Sequence, residues 1–426
     1  MMRVICGKAG SGKTTRLAEL IGQAEDYVVL APTNAAVENI YNVSRQVLKV
    51  ELKRDNFKTI YSFFRIDYEH NTLAGALYYP KTIFIDEFGL MNKLLFKKCV
   101  ANARFNKVEN IIICGDVLQL NPIYESKQFI SFEKLSILNK LYQSILKRMN
   151  QTSLPTMLYP SVIEHLHLNV FGSKIVRTAQ LELMNTNRRA NDEVKTILNN
   201  VYDGNLDYKY NFIEFYDLPS KIVKDGFVFI ASRYRILQHI YDLVYERELK
   251  SLDPVIIDQP TSLKFGYKKL YLTPGMKVVT CETVKSLYIN GEELVFTGNV
   301  EAQGLKCFRE GTNEIIYIRK ATDKFGNEYY PVTPSWLLSV HKSQGRTIER
   351  VIVCIDDMFE VSMLYTAITR TKNELLFYSR VSRNERTTKL IEAARIPEFR
   401  QLNLMSRFMY SKSVKDDVDK SLSADF

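Results

Sequence analysis

Three short stretches carry side chains suited to phosphate chemistry. The first is Gly7-Lys8-Ala9-Gly10-Ser11-Gly12-Lys13-Thr14, which fits the pattern G-x-x-x-x-G-K-[ST] of a phosphate-binding loop. Its glycines let the backbone wrap an anion. Its N–H groups converge at a helix N-terminus, where the dipole favours negative charge. Lys13 is placed to reach terminal phosphates and Thr14 to set its hydroxyl on Mg²⁺, with Gly7, Gly10, Ser11, Gly12 and Thr15 completing the cradle. The second stretch is Asp86-Glu87, after the apolar run Thr82-Ile83-Phe84-Ile85. Asp86 would hold Mg²⁺ through its water shell. Glu87 is placed to orient and deprotonate an attacking water. An acidic pair after a strand says little alone, but it is specific downstream of a complete phosphate loop. The third is the turn Gly115-Asp116-Val117-Leu118-Gln119-Leu120, whose Gln119 is placed to sense the terminal phosphate.

These groups need rigid elements behind them. Met2–Cys6 is short and apolar enough for a buried strand, and Leu17, Leu20 and Ile21 then share one helical face. Tyr27–Ala31 reads as a second buried strand ending in the turn Pro32-Thr33-Asn34. Sites in open α/β sheets form beyond the carboxyl ends of the strands, so this turn falls on the edge that carries the phosphate loop. Asn110–Cys114 is another such strand. Residues 58–80 are aromatic-rich without helical periodicity and predict a small projecting hairpin. Ser62 and Phe63 lie there; exposed aromatics beside Lys and Arg stack on bases for about 1–3 kcal/mol each, and packing onto the core is the competing reading.

Residues 123–180 carry helical spacing, then irregular sequence around Pro155 and Pro160, and read as an insertion with a basic helical face. A helix through Val201, a buried strand at Gly226–Ala231 and a helix over about 236–249 predict a second α/β domain. Between 270 and 335 short alternating segments are punctuated by Gly, Asn and Pro, with Asn290-Gly291 as a hairpin signal. This predicts a small barrel inserted into the second domain. A strand at Val351–Ile355, a helix at Val361–Lys372 and a strand at Glu374–Tyr378 close that domain. From Lys415 to Phe426 the chain is polar and reads as a frayed tail. The predicted organisation is 1–150, a linker or insertion at 151–180, 181–269 with 336–400, the insertion at 270–335, and a tail at 401–426.

A chain of 426 residues implies two to four domains, and its 46% hydrophobic share is that of a globular protein. Its apolar runs are all shorter than the roughly 18 residues that span a membrane, so no membrane partner is expected. Only six residues precede Gly7, which leaves no room for a signal peptide, and the expected compartment is the cytoplasm. Cys6, Cys99, Cys114, Cys281, Cys307 and Cys354 are scattered and read as buried free thiols. His165 and His167 form an H-x-H pair whose expected role is core or surface rather than metal binding. The net charge of +10 suits a polyanionic partner.

Taken together, the motifs resemble those of a superfamily 1 helicase, most closely the B branch with its RecD-like and phage Dda-like members. Gly7–Thr14 resembles motif I, Ala31-Pro32-Thr33-Asn34 motif Ia, Thr59-Ile60-Tyr61-Ser62 motif Ib, and Asp86-Glu87 motif II. Gly115–Leu120 resembles motif III, Leu183–Arg188 motif IV, Val340-His341-Lys342-Ser343-Gln344-Gly345 motif V, and Thr366-Ala367-Ile368-Thr369-Arg370 motif VI. The resemblance implies two RecA-like domains with parallel sheets and an SH3-like insertion in the second. It implies ATP and Mg²⁺, with Arg188 and Arg370 completing the catalytic set and Gln344 and Gly345 joining the nucleotide-binding set. It implies 5′-to-3′ movement on single-stranded DNA gripped near Pro32, Thr33, Asn34, Ser62, Phe63 and His341. A monomer is expected, with replication or recombination proteins as candidate partners; a viral origin would put it in the host cytoplasm or nucleoid. Two rival readings stay open: a viral RNA helicase of the same superfamily, and an ATP-gated nucleic-acid binding or loading protein that unwinds nothing.

Overall fold

Near-continuous apolar runs build the inner strands of the first sheet, as strands buried on both faces require. The structure is a computed structural model and describes residues 1–67, 72–122, 130–170, 173–177, 179–184, 190–260, 267–284 and 287–410. The chain divides into two units, Met1–Tyr208 with Phe359–Thr369 and Leu390–Phe426, and Lys209–Met358 with Arg370–Lys389.

In the first unit β1 (Met2–Gly7) leads through the glycine-rich loop into α1 (Lys13–Ile21), and β2 (Tyr27–Ala31) leads into α2 (Asn34–Leu48). Thr33 caps α2 by accepting the Ala36 N–H at 3.2 Å, which fixes where the turn ends and the helix begins. After β3 (Phe57–Thr59) and α3 (Ile60–Phe64), β4 (Ile66–Asp67) pairs antiparallel with β5 (Thr72–Leu73). This is the expected hairpin, with two residues to each strand. Then come β6 (Thr82–Ile85), α4 (Lys93–Phe105), β7 (Asn110–Gly115), α5 (Phe132–Arg148), α6 (Pro160–Leu168), α7 (Lys174–Arg177), β8 (Gln180–Met184) and α8 (Asp192–Asp203). The other six strands form a parallel sheet in the order β3-β2-β6-β7-β1-β8. Leu17 and Ile21 of α1 and Val37 and Ile40 of α2 bury against Ile5, Val29 and Phe84. Each such side chain contributes about 1.5–3 kcal/mol on leaving water.

The second unit begins with α9 (Leu218–Val223), β9 (Val228–Ala231) and α10 (Tyr234–Val244), which continues as one π-helical turn over Tyr245–Leu249. A hairpin of β10 (Val255–Asp258) and β11 (Lys269–Leu272) follows. The segment expected to be a barrel holds β12 (Lys277–Thr280), β13 (Glu293–Glu301), β14 (Gly304–Phe308), β15 (Ile315–Ile318), the short pair β16 (Ala321–Thr322) and β17 (Glu328–Tyr329), and β18 (Val332–Pro334). Five of these make an antiparallel sheet ordered β15-β14-β13-β12-β18, with the Asn290-Gly291 turn between β12 and β13. β19 (Leu337–Ser339), α11 (Val340–Ser343) and β20 (Ile348–Cys354) return the chain to the α/β part. After α12 (Met363–Ile368), β21 (Thr371–Tyr378) completes a parallel sheet ordered β19-β9-β20-β21. The chain ends in α13 (Arg386–Ala393) and α14 (Ile396–Tyr410).

Four expectations change. Residues 181–208 were expected in the second domain, yet β8 pairs with β1 and the segment belongs to the first unit. Residues 151–180 are no linker. Tyr142 donates to the Pro155 carbonyl at 2.9 Å, and Gln401 of α14 bonds the backbone of Met157 and Tyr159 at 2.9 Å each, so this stretch packs into the first unit. The expected tail at 401–426 is helical through Tyr410, while 411–426 lie outside the described residues. The helix expected over Val361–Lys372 ends at Ile368, because Thr371 already pairs with Ile348 in the sheet.

All six cysteines are buried free thiols. His165 is a core residue whose Nε2 lies 2.8 Å from the Val117 carbonyl oxygen. Among the described residues no helix is long and apolar enough to cross a membrane.

Candidate phosphate site

The carboxyl edge of the first sheet gathers the loop after β1, the acidic pair after β6 and the polar turn after β7. Gly10 and Gly12 sit at φ 72 and 88, the left-handed region that glycine enters without a Cβ penalty. Gly7 answers a different need, since it pairs with Met184 of β8. Lys13 Nζ donates to the carbonyls of Gly7 at 3.0 Å and Lys8 at 2.9 Å, which stations the ammonium across the loop mouth. Ser11 is buried, and its hydroxyl has no partner among the described residues. Thr15 is exposed on the first turn of α1.

Thr14 Oγ1 donates to Asp86 Oδ2 at 3.2 Å, joining the first stretch to the second. Asp86 is 3% exposed. Burial, with the neighbouring Glu87 charge, pushes its carboxyl above the ordinary range; the Glu87 N–H at 2.9 Å, the Lys13 charge and Cys114 work against that rise. A buried carboxylate beside a second carboxylate is a place where a hard cation is favoured, and a hydroxyl and a carboxylate are the oxygen donors that suit Mg²⁺. Glu87 is half-buried, with φ 52 and ψ 39, a left-handed conformation uncommon outside glycine. This conformation turns the chain off the end of β6.

In the third stretch, Asp116 and Gln119 are 4% and 3% exposed. Gln119 Nε2 reaches Asp116 Oδ2 at a long 3.4 Å. The same oxygen accepts the Tyr365 hydroxyl of α12 at 2.9 Å, and that hydroxyl accepts the Ala9 N–H of the loop at 3.1 Å. Sequence reading assigned Tyr365 nothing. It is one aromatic in an apolar helix, and spacing gives no sign that its hydroxyl returns to the first sheet.

The other expected residues distribute as follows. Pro32, Thr33 and Asn34 are at the carboxyl end of β2, with Thr33 exposed and capping α2. Ser62 is exposed on α3. Phe63 overturns the base-stacking expectation: it is 9% exposed and packs edge-on against Phe64 and Tyr79 at 5.0 and 5.9 Å between ring centroids. Among the described residues of this region, the exposed large apolar side chains are instead Leu77 and Tyr78. His341, Gln344, Gly345 and Arg370 all belong to the second unit. His341 is half-buried on α11, and burial lowers its pKa. Gln344 is buried, Gly345 has φ 80, and Arg370 is 2% exposed with its carbonyl accepting the Ile348 N–H at 3.0 Å. Arg188 lies outside the described residues.

A phosphate loop on the carboxyl edge of a six-stranded parallel sheet, with a second parallel α/β unit after it, defines a P-loop protein with two RecA-like units. Residues 1–125 match a family model described as an AAA domain, and residues 334–378 match the UvrD-like helicase C-terminal domain. The ATP-dependent DNA helicase PIF1 of Danio rerio is 23% identical over 327 residues, 69% of this chain and 45% of that protein. The Campylobacter jejuni ATP-dependent DNA helicase Pif1 is 20% identical over 335 residues, 68% of this chain and 67% of its own length. This chain thus spans less than half the length of the Danio relative. Among solved structures, Pif1 helicase from Bacteroides in complex with ADP-AlF3 and single-stranded DNA gives a TM-score of 0.55 at 19% identity, covering 91% of this chain and 90% of that one. These matches liken the chain to the superfamily 1 helicases of the B branch, with its RecD-like and Pif1-like members.

Proposed function

We propose that this chain is an ATP-dependent helicase or translocase that moves 5′-to-3′ along single-stranded DNA. The observation that carries the reading is the Thr14–Asp86 hydrogen bond of 3.2 Å, which joins the phosphate loop to the acidic pair in a chain similar to this family. The relatives named above are DNA helicases, and one was solved with ADP-AlF3 and single-stranded DNA. Thr14 and Asp86 are the residues that would hold Mg²⁺, which when bound supplies positive charge to the phosphates.

Lys13 turns from the loop carbonyls to the terminal phosphates of ATP. Glu87 orients a water and takes its proton. Gln119 senses the terminal phosphate, and Arg188 and Arg370 stabilise the charge that develops as the phosphoryl group transfers. Gly7, Gly10, Ser11, Gly12, Thr15, Gln344 and Gly345 complete the nucleotide-binding set, while Pro32, Thr33, Asn34, Ser62 and His341 grip the strand. The segment 270–335 acts as the SH3-like insertion of the branch, in a monomer that works where the cell or its virus handles DNA. The short β4–β5 hairpin favours a second reading, translocation with little strand separation.

The deciding experiment compares ATP hydrolysis by wild type and Lys13→Ala alone, with single-stranded DNA and with single-stranded RNA. Strong activation by DNA that disappears in the mutant is expected. Activation by RNA alone moves the assignment to the RNA branch. Hydrolysis that neither strand activates overturns the nucleic-acid half. A strand-displacement assay then separates helicase from translocase.

A further inference from the structure

The Tyr365 hydroxyl occupies a demanding position. It is 2% exposed and lies between two groups that each need a partner once water is excluded, the Ala9 N–H and the Asp116 carboxylate. A buried carboxylate left short of donors is costly, so the hydroxyl and Asp116 hold each other in one geometry. Asp116 Oδ2 also receives Gln119 Nε2, so one oxygen atom carries both side chains. The result is a hydrogen-bonded line from the phosphate-loop backbone through Tyr365 and Asp116 to Gln119.

The Tyr365 ring is supported from behind. Tyr202 of α8 packs edge-on at 5.7 Å and Phe399 of α14 lies at 5.3 Å, while Tyr202 and Phe399 pack on each other at 4.1 Å. Three helices from distant parts of the sequence therefore fix where one hydroxyl points. Such support is wasted on a side chain that only fills space, because phenylalanine would fill the same space.

We propose that Tyr365 is a positioning residue for ATP hydrolysis, setting Gln119 through Asp116 and tying that setting to the Ala9 backbone of the phosphate loop. The proposal rests on the ATP-hydrolysing reading above and adds to it the group that aims Gln119. Tyr365 is not asked to touch ATP. Its part is to remove the freedom of a side chain that does, and misplacement by about 1 Å is enough to slow a reaction about 100-fold.

The test is a double-mutant cycle on basal hydrolysis, run without nucleic acid so that it stands apart from the DNA assignment, with Lys13→Ala as background. Tyr365→Phe is expected to lower kcat by about 10- to 100-fold while KM for ATP stays within about twofold, because binding is left alone and positioning is lost. Gln119→Ala is expected to give a loss of similar size, and the double variant no further loss. Asp116→Asn reaches the shared oxygen from the other side and is expected to match Tyr365→Phe, again without additivity. Independent, multiplying losses overturn the proposal, as does a raised KM with kcat intact. A Tyr365→Phe chain that no longer melts cooperatively also overturns it, in favour of a purely structural role. Wild-type hydrolysis no faster than Lys13→Ala overturns the ATPase reading itself, and this role with it.

Discussion

A Cβ placed on Gly7 would stand 1.8 Å from the carbonyl oxygen of Met184. The first residue of the phosphate loop is therefore also the place where β1 and β8 lie too close for any side chain. Met184 pairs with Gly7 in the parallel ladder, and Glu182 of the same strand ion-pairs with Arg3 of β1 and, at 3.0 Å, with Arg16 of α1. The sheet edge and the mouth of the site share this seam.

Gly7→Ala is accordingly expected to unfold more easily as well as to bind nucleotide poorly. Overpacking of this kind costs about 1–3 kcal/mol, and here the obstacle is backbone that cannot rotate away. Thermal melting in the absence of nucleotide reads the effect. A melting temperature equal to that of wild type would show that β8 is free to move off β1.

Glu87→Gln is expected to keep nucleotide binding and lose turnover. The amide preserves shape and cannot accept the proton of water, and general-base catalysis contributes about 10²- to 10⁴-fold. Single-turnover hydrolysis with an equilibrium nucleotide titration separates the two effects. Abundant hydrolysis in the variant would remove Glu87 from its role.

Buried His165 and half-buried Glu360, both of the first unit, set opposing pH dependences. Burial holds His165 at about 4, below its ordinary 6.5, despite the Val117 carbonyl hydrogen bond that raises it. The neutral ring is what the fold accepts, so its contribution is present above pH 6.5 and lost as pH falls from 6.5 towards 4, at up to about 1.4 kcal/mol per pH unit. Burial and the Glu164 charge raise Glu360 from 4.5 to about 7, against Arg395, which lowers it. Its contribution is greatest below pH 4.5 and is lost as pH rises from 4.5 through about 7. His165→Gln is expected to make the acid limb of a melting-temperature profile shallower. Glu360→Gln is expected to stabilise at pH 8 and change little at pH 4.5. A pair of profiles parallel to wild type would contradict both.

Phe63→Ala is expected to behave as a core deletion, losing about 3–5 kcal/mol of stability through the cavity it leaves. Below its melting temperature, affinity for single-stranded DNA should change less than about threefold. A large affinity loss without destabilisation would return Phe63 to the strand-gripping surface.

The sequence by itself determined the phosphate loop, the acidic pair and the buried strands that carry them. Each is a contiguous pattern whose physics is local: glycines where φ is positive, carboxylates at a strand end, apolar runs that must leave water. It did not determine membership of the sheets. The segment Gln180–Met184 alternates polar and apolar residues and suits the edge of either sheet, and only its pairing with Arg3–Gly7 placed it in the first. Burial of Phe63 against Tyr79 was equally hidden, because an aromatic close to a basic residue such as Arg65 reads the same whether it faces solvent or core. Tertiary structure alone decided the Tyr365 link, which spans 356 residues to Ala9 and 249 to Asp116. No spacing rule reaches so far. A hydrogen bond between distant residues is made by the packing that closes the core, and local pattern does not record which helix that packing brings home.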